Sequence, residues 1–174
     1  TWLKSGRIWY ILHAFSVIGA AAIVIIMIYQ HLFEYKYIWQ HSSRELPFNY
    51  LLSAFWEGQE GSTLLWLFWH SILGIVLIFR AKKWEAPVMT IMTLAQVMLA
   101  SMELGIHMKV PNFHIDFSPF LFSFNWADYK MGSNLFVLVK DAMDIPVFTM
   151  DPNYVFEDGN GLNPLLQNYW MVIH

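Results

Sequence analysis

Ile18-Gly19-Ala20-Ala21-Ala22-Ile23-Val24-Ile25-Ile26 is the stretch that decides what kind of protein this is. It carries no charge and no polar side chain, and it lies at the centre of an apolar run from about Ile8 to Tyr29. About 20 apolar residues, each rising roughly 1.5 Å in a helix, cross a hydrocarbon layer about 30 Å thick. A helix on the surface of a soluble bundle would carry a polar stripe through that centre. None is present, so a compact soluble helical protein is the weaker alternative.

Two further runs follow, from about Thr63 to Phe79 and from about Pro87 to Ile106. Lipid offers no partner to an unpaired backbone group, so each run is expected to cross as a helix. Composition agrees: 57% of the 174 residues are hydrophobic, 18% aromatic and only 13% charged. Soluble domains carry about 25% charged residues. The mean hydropathy is +0.42. A net charge of −3 gives no sign of a nucleic-acid partner. With no cysteine, disulfides, thiol catalysis and Cys-based zinc or iron–sulfur sites are excluded for these residues. The expected fold is an all-α membrane protein. It has about three transmembrane helices plus interfacial helices and an irregular outer loop.

Sidedness follows from the basic residues. Lys4 and Arg7 precede the first span, and Arg80-Ala81-Lys82-Lys83 joins the second to the third. The positive-inside rule puts both groups in the cytoplasm, with residues 30–62 and 107–174 on the outer face. Residues 1–106 then form the membrane helices with their outer loop, and 107–174 an outer-face segment ending in a short helix. Trp2, Trp9, Trp66, Trp69 and Trp84 fall near the expected span ends, where amphipathic rings favour the interface. Gly19-Ala20-Ala21-Ala22 is expected to pack closely on another helix. The chain opens on Thr1 and stops on His174 beside an apolar run, and both ends are expected to be cuts in a longer sequence. No signal peptide is expected, because the first run is too long and lacks a cleavage site.

In the first outer loop, Leu51-Leu52-Ser53-Ala54-Phe55-Trp56 reads as an amphipathic helix lying in the interface. Trp56-Glu57-Gly58-Gln59-Glu60-Gly61 follows. Its two carboxylates suit an acid–base pair, or a cap on the next helix, whose dipole favours anions at its start. Its two glycines point to a tight turn or close backbone packing. Val110 to Asp158 reads as irregular, broken by Pro111, Pro119, Pro146 and Pro152. Within it, Ser118 to Phe124 is too short to span and is expected to rest on the membrane or on other helices. Gly132 to Met143 is expected to form a short helix capped by Ser133 or Asn134. Further on, Asn163 caps a helix whose first position is Pro164, and His174 sits on its continuation. His70 lies roughly 10 Å inside the second span and Glu103 near the outer end of the third. If the helices are neighbours the two can pair, either as an interhelical hydrogen bond or in proton handling. His13, His31, His41, His107 and His114 are read as interface residues.

Two blocks carry a resemblance. Leu162-Asn163-Pro164-Leu165-Leu166-Gln167, then an aromatic and aliphatic run to His174, resembles the signature of the cytochrome c-type biogenesis haem lyase family (the CcmF/NrfE/CcsA group). Leu46-Pro47 with Tyr50, Ser53-Ala54, Trp56, Gly58, Glu60-Gly61-Ser62 and Leu64-Leu65-Trp66 is similar to that family's outer-loop motif. The blocks occur in the family's order, and the resemblance runs from about Trp9 to His174 apart from the Val110 to Asp158 loop. Glu57 stands where the family more often has Gly. The resemblance implies a bacterial inner-membrane protein that holds haem at the outer face and attaches it to apocytochrome c. Other cytochrome c maturation proteins of the membrane would be its partners. It implies that His174 is an axial ligand to haem iron, a common role for a neutral imidazole. Trp170, Asn163, Gln167, Trp56 and Glu60 are the remaining haem-site candidates. The family's Trp-rich platform and second outer ligand would follow His174, so haem binding would need those downstream segments. Two other readings stay open. One is a transporter or channel-type bundle with Glu57, Glu60, His70 and Glu103 along a polar path; the other is a membrane subunit without chemistry.

Overall fold

The computed structural model describes residues 2–116 and 121–170. The helices in chain order are α1 (Trp2–Tyr29), α2 (Lys36–His41), α3 (Phe48–Glu57), α4 (Gln59–Arg80) and α5 (Glu85–Leu104). Three of them are long and apolar enough to cross a membrane: α1, α4, and α5 taken with the 3-10 turn Lys82–Trp84 before it. The architecture is that of a multi-pass membrane protein. α4 is the middle element, packed on α1 along one side and on α5 along another. Buried Tyr10, Ala14, Val17, Ala21, Val24 and Met27 recur every three or four residues and make the packing stripe of α1. Close packing therefore uses Ala14 and Ala21, whereas Gly19 faces open space.

The second span is longer at its loop end than hydropathy alone indicates, starting at Gln59. The third is longer at its turn end, starting at Glu85, but stops at Leu104. Because α4 starts at Gln59, Trp69 lies mid-helix rather than near a span end. At the turn end of the bundle, Arg7 forms a two-pronged ion pair with Glu85, both N–O distances 2.5 Å. At the loop end, α5 stops where Gly105 takes φ +63°, a conformation that closes a helix at little cost only for glycine.

A β-hairpin corrects the all-α expectation and the reading of residues 110–158 as irregular. β1 (Ile106–Asp116) pairs antiparallel with β2 (Leu121–Met131), with Ile106 opposite Met131 and Asp116 opposite Leu121. Pro111 sits within β1 opposite Trp126. A two-stranded ribbon leaves one edge of each strand unpaired, so a residue without an N–H is tolerated there. Of the Ser118–Phe124 stretch, residues 121–124 belong to β2, and 118–120 lie outside the described residues. Residues 132–143 are not one helix. Only α6 (Val139–Ala142) forms, and Asn134 Oδ1 accepts the Phe136 N–H at 2.8 Å in a local turn instead of capping. α7 (Val147–Met150) and the 3-10 turn Pro164–Leu166 follow.

The core gathers at the loop end. Val24, Met27 and Ile28 of α1 meet Phe33, then Tyr37 and Ile38 of α2, Leu51, Ala54 and Phe55 of α3, and Leu64 and Leu67 of α4. Leu135 and Leu162 from the last third complete the same cluster. The chain between α1 and α4 is thus covered by the segment that follows the hairpin.

Candidate functional site

Tyr37 organises the loop end. Its Oη donates toward the carbonyl oxygens of Phe55 (3.0 Å) and Ala54 (3.2 Å) and accepts the Gly58 N–H at 3.2 Å. These contacts fix the break between α3 and α4. His41, one helical turn after Tyr37, stacks on its ring at 4.3 Å, and His41 Nδ1 lies 2.9 Å from the Tyr37 carbonyl oxygen. A carbonyl only accepts, so Nδ1 carries the proton. A Cβ on Gly58 would come within 2.7 Å of the Tyr37 ring and 2.8 Å of His41 Nε2. One on Gly61 would overlap the Phe55 carbonyl and the Tyr37 hydroxyl. The two glycines are therefore there for close packing. Burial raises the pKa of Tyr37, so it acts as a neutral hydrogen-bonding group.

The carboxylates divide their roles. No side chain caps α4, whose cap residue is Gly58. Glu60 lies in its first turn, where the helix dipole favours an anion. Glu57 turns away: Oε1 accepts the Asn163 N–H at 3.2 Å, and Oε2 is buried without a partner. Burial raises the Glu57 pKa, partly offset by the Asn163 N–H and by His41. Glu103 on α5 faces the Leu135 N–H and lies near Glu60.

Glu103 does not meet His70. Gln96 Nε2 donates to the Leu67 carbonyl (3.2 Å) and to Ser71 Oγ (3.0 Å), which sets the register between α4 and α5. Glu103 then stands roughly 10 Å from the level of His70. His70 itself lies roughly 16 Å from the start of α4, deeper than expected. Its carbonyl accepts the Tyr10 hydroxyl at 3.0 Å, and its Nδ1 is buried without a partner.

Residues 158–167 form a strap across this platform. Asp158 Oδ1 accepts the N–H of Arg44 at 2.9 Å and of Gly159 at 2.8 Å, and these bonds, Arg44 first, hold its pKa below the usual carboxylate range. Asn160 N–H bonds to the Trp39 carbonyl at 2.8 Å and Gly161 N–H to the Ser42 carbonyl at 3.1 Å. Leu162 then plugs the core, only 2% exposed. Asn163 Oδ1 accepts the Leu165 N–H at 3.0 Å and opens the 3-10 turn with Pro164 at its start, so this capping expectation holds for a turn shorter than foreseen. Gln167 Nε2 donates to the Leu162 carbonyl at 2.9 Å.

Asn163 and Gln167 thus have their side chains engaged in shaping the strap. Trp56 is half-buried against the core, its carbonyl accepting the Ser62 hydroxyl at 2.8 Å. Trp170 points away from the core, 76% exposed, with the Tyr169 ring 5.9 Å from its own. His174 lies outside the described residues. Among the described residues no three His, Asp or Glu side chains gather to hold a metal ion. Tyr37, Asp158 and Gln96 belong to no motif that the residues alone display. The only sign of the first was an aromatic pair, Tyr37 and His41, one turn apart on the short helix α2. No protein-family model, curated protein or solved structure matches this chain.

Proposed function

We propose that this chain is part of a membrane haem lyase that holds haem at the outer membrane face for covalent attachment to apocytochrome c. The observation that carries this reading is that Leu162 shares one buried cluster with Ala54 and Leu64, more than ninety positions away in sequence. It brings together the two blocks whose residues resemble the family. The chain beyond Gln167 therefore leaves from a platform built by the outer-loop block. Trp170 and Tyr169 offer exposed aromatic faces of the kind a flat apolar macrocycle covers. His174, four residues on from Trp170, would supply a ring nitrogen to the iron. Bound haem brings the vinyl groups that react with the substrate's thiols. The residues of this chain position it: Glu57 and Asp158 clasp the strap, Leu162 anchors it, and Asn163 and Gln167 set its shape.

A transporter-like polar path has less support. Glu57, Glu60 and Glu103 gather at one end, and His70 stands apart from Glu103 by roughly 10 Å along the helices. The test is haem retention in the full-length protein. His174→Ala should lose the bound-haem absorption spectrum, and Trp170→Ala should weaken it. Unchanged haem content and spectrum in both variants would leave the membrane subunit without chemistry as the better reading.

A further inference from the structure

Gly105 alone separates the end of α5 at Leu104 from the start of β1 at Ile106. The base of the hairpin is therefore held where the third span leaves the hydrocarbon. Its register makes that base two-faced. Side chains alternate along a strand, so Ile106, Met108 and Val110 share one face of the ribbon. Tyr129, opposite Met108, and Ala127, opposite Val110, belong to the same face. Lys109, its partner Asp128 and Lys130 lie on the other face and are exposed. The apolar face is uncovered as well. Ile106, Met108, Val110 and Tyr129 are 38% to 55% exposed, and the hairpin packs mainly on itself. Ile106 shows where this face leads. It lines the same cavity as Val97, Ala100 and Leu104, on the open flank of α5, the least covered of the three spans.

We propose that the apolar face of the hairpin base rests on the lipid bilayer, at the headgroup boundary of the leaflet nearest the loop end of the bundle. Continuity carries the choice of occupant. The face begins at Ile106 as an extension of the lipid-facing flank of α5, and Met108 lies at most roughly 14 Å of extended chain beyond Leu104. A protein seated on this face would also have to displace the lipid along that flank. The ribbon lies on the bilayer rather than in it. Each of its strands has one unpaired backbone edge, which hydrocarbon cannot satisfy and the hydrated headgroup layer can. The Tyr129 ring and hydroxyl match the two sides of that boundary, and Lys109 and Lys130 keep their charges in water on the opposite face.

The test places benzoylphenylalanine singly at Met108, Lys109 and Tyr129 of the full-length protein in its native membrane. Met108 and Tyr129 should give phospholipid adducts in yields above that from Lys109 by about threefold or more, because only their face meets the bilayer. The change at Tyr129 exchanges one aromatic side chain for another, so disturbed pairing at Met108 would not remove the test. Val110→Glu, which puts a charge on the same face, should lower the lipid yield from Tyr129 by about threefold or more. Adducts from Met108 and Tyr129 that map to protein, whether to a second copy of residues 1–174 or to another chain, would overturn the proposal. Lipid yields at Met108 and Tyr129 no higher than at Lys109 would overturn it too.

Discussion

Tyr37 serves three backbone groups through one hydroxyl, and its removal is the sharpest test of the platform. Tyr37→Phe leaves the Gly58 N–H without its partner, so thermal unfolding in detergent should show a loss of about 1–3 kcal/mol. The two strap clasps should respond to pH with opposite sign. Glu57 has a pKa raised by burial, so its contribution to stability is present below the ordinary carboxylate range and is lost as pH rises through the raised value. Asp158 has a lowered pKa, so its contribution is present above that range and is lost as pH falls through the lowered value. Amide exchange at Asn163 should therefore speed up on raising the pH beyond its intrinsic base dependence, and Glu57→Gln should remove that excess. Exchange at Arg44 should gain protection as the pH rises from acid, and Asp158→Asn should abolish the gain. Neither role could be read from the residues alone. Glu57 and Glu60 look alike as neighbours on a helix boundary, and only the strap, arriving from a distant part of the chain, separates a clasp from a dipole-facing anion.

Among the elements, the spanning helices were legible because hydropathy over about 20 residues is a local property. The hairpin was not. Apolar residues fall at 106, 108 and 110, then at 113 and 115, so the period-2 pattern slips at Pro111-Asn112 and reads as irregular. Pairing with β2 supplies the regularity that the strand pattern lacks. The hairpin packs mainly on itself, and Ser133 N–H bonds to the Met102 carbonyl just beyond its base at 3.1 Å. Replacing residues 107–130 with a two-residue turn should leave the melting of the helical bundle unchanged to within about 1 kcal/mol. A drop beyond that would mean that the hairpin braces the helices. The α1–α4 contact is the opposite case. A Cβ on Gly74 would overlap the Tyr10 side chain, so Gly74→Ala should destabilise by about 1–3 kcal/mol. The double variant with Tyr10→Ala should cost less than the sum of the two singles, because they share one contact.

At the scale of the whole molecule, the proposed orientation can be checked because residues 1–174 contain no cysteine. An impermeant maleimide applied to intact cells should label Arg44→Cys at the loop end. It should reach Lys82→Cys at the turn end only after permeabilisation. The reverse pattern would place the candidate site in the cytoplasm and remove the haem lyase reading. The sequence by itself determined the three spanning helices and the short turn joining the second and third. Each depends on neighbours within a few turns of the chain. Only the tertiary structure decided that Leu135 and Leu162 close the core, that Glu57 binds Asn163, and that Glu103 stands apart from His70. Those outcomes depend on helix register and on a strap returning across about a hundred residues. Hydropathy carries no information about either, because it records how much apolar surface a segment has and not which surface it meets.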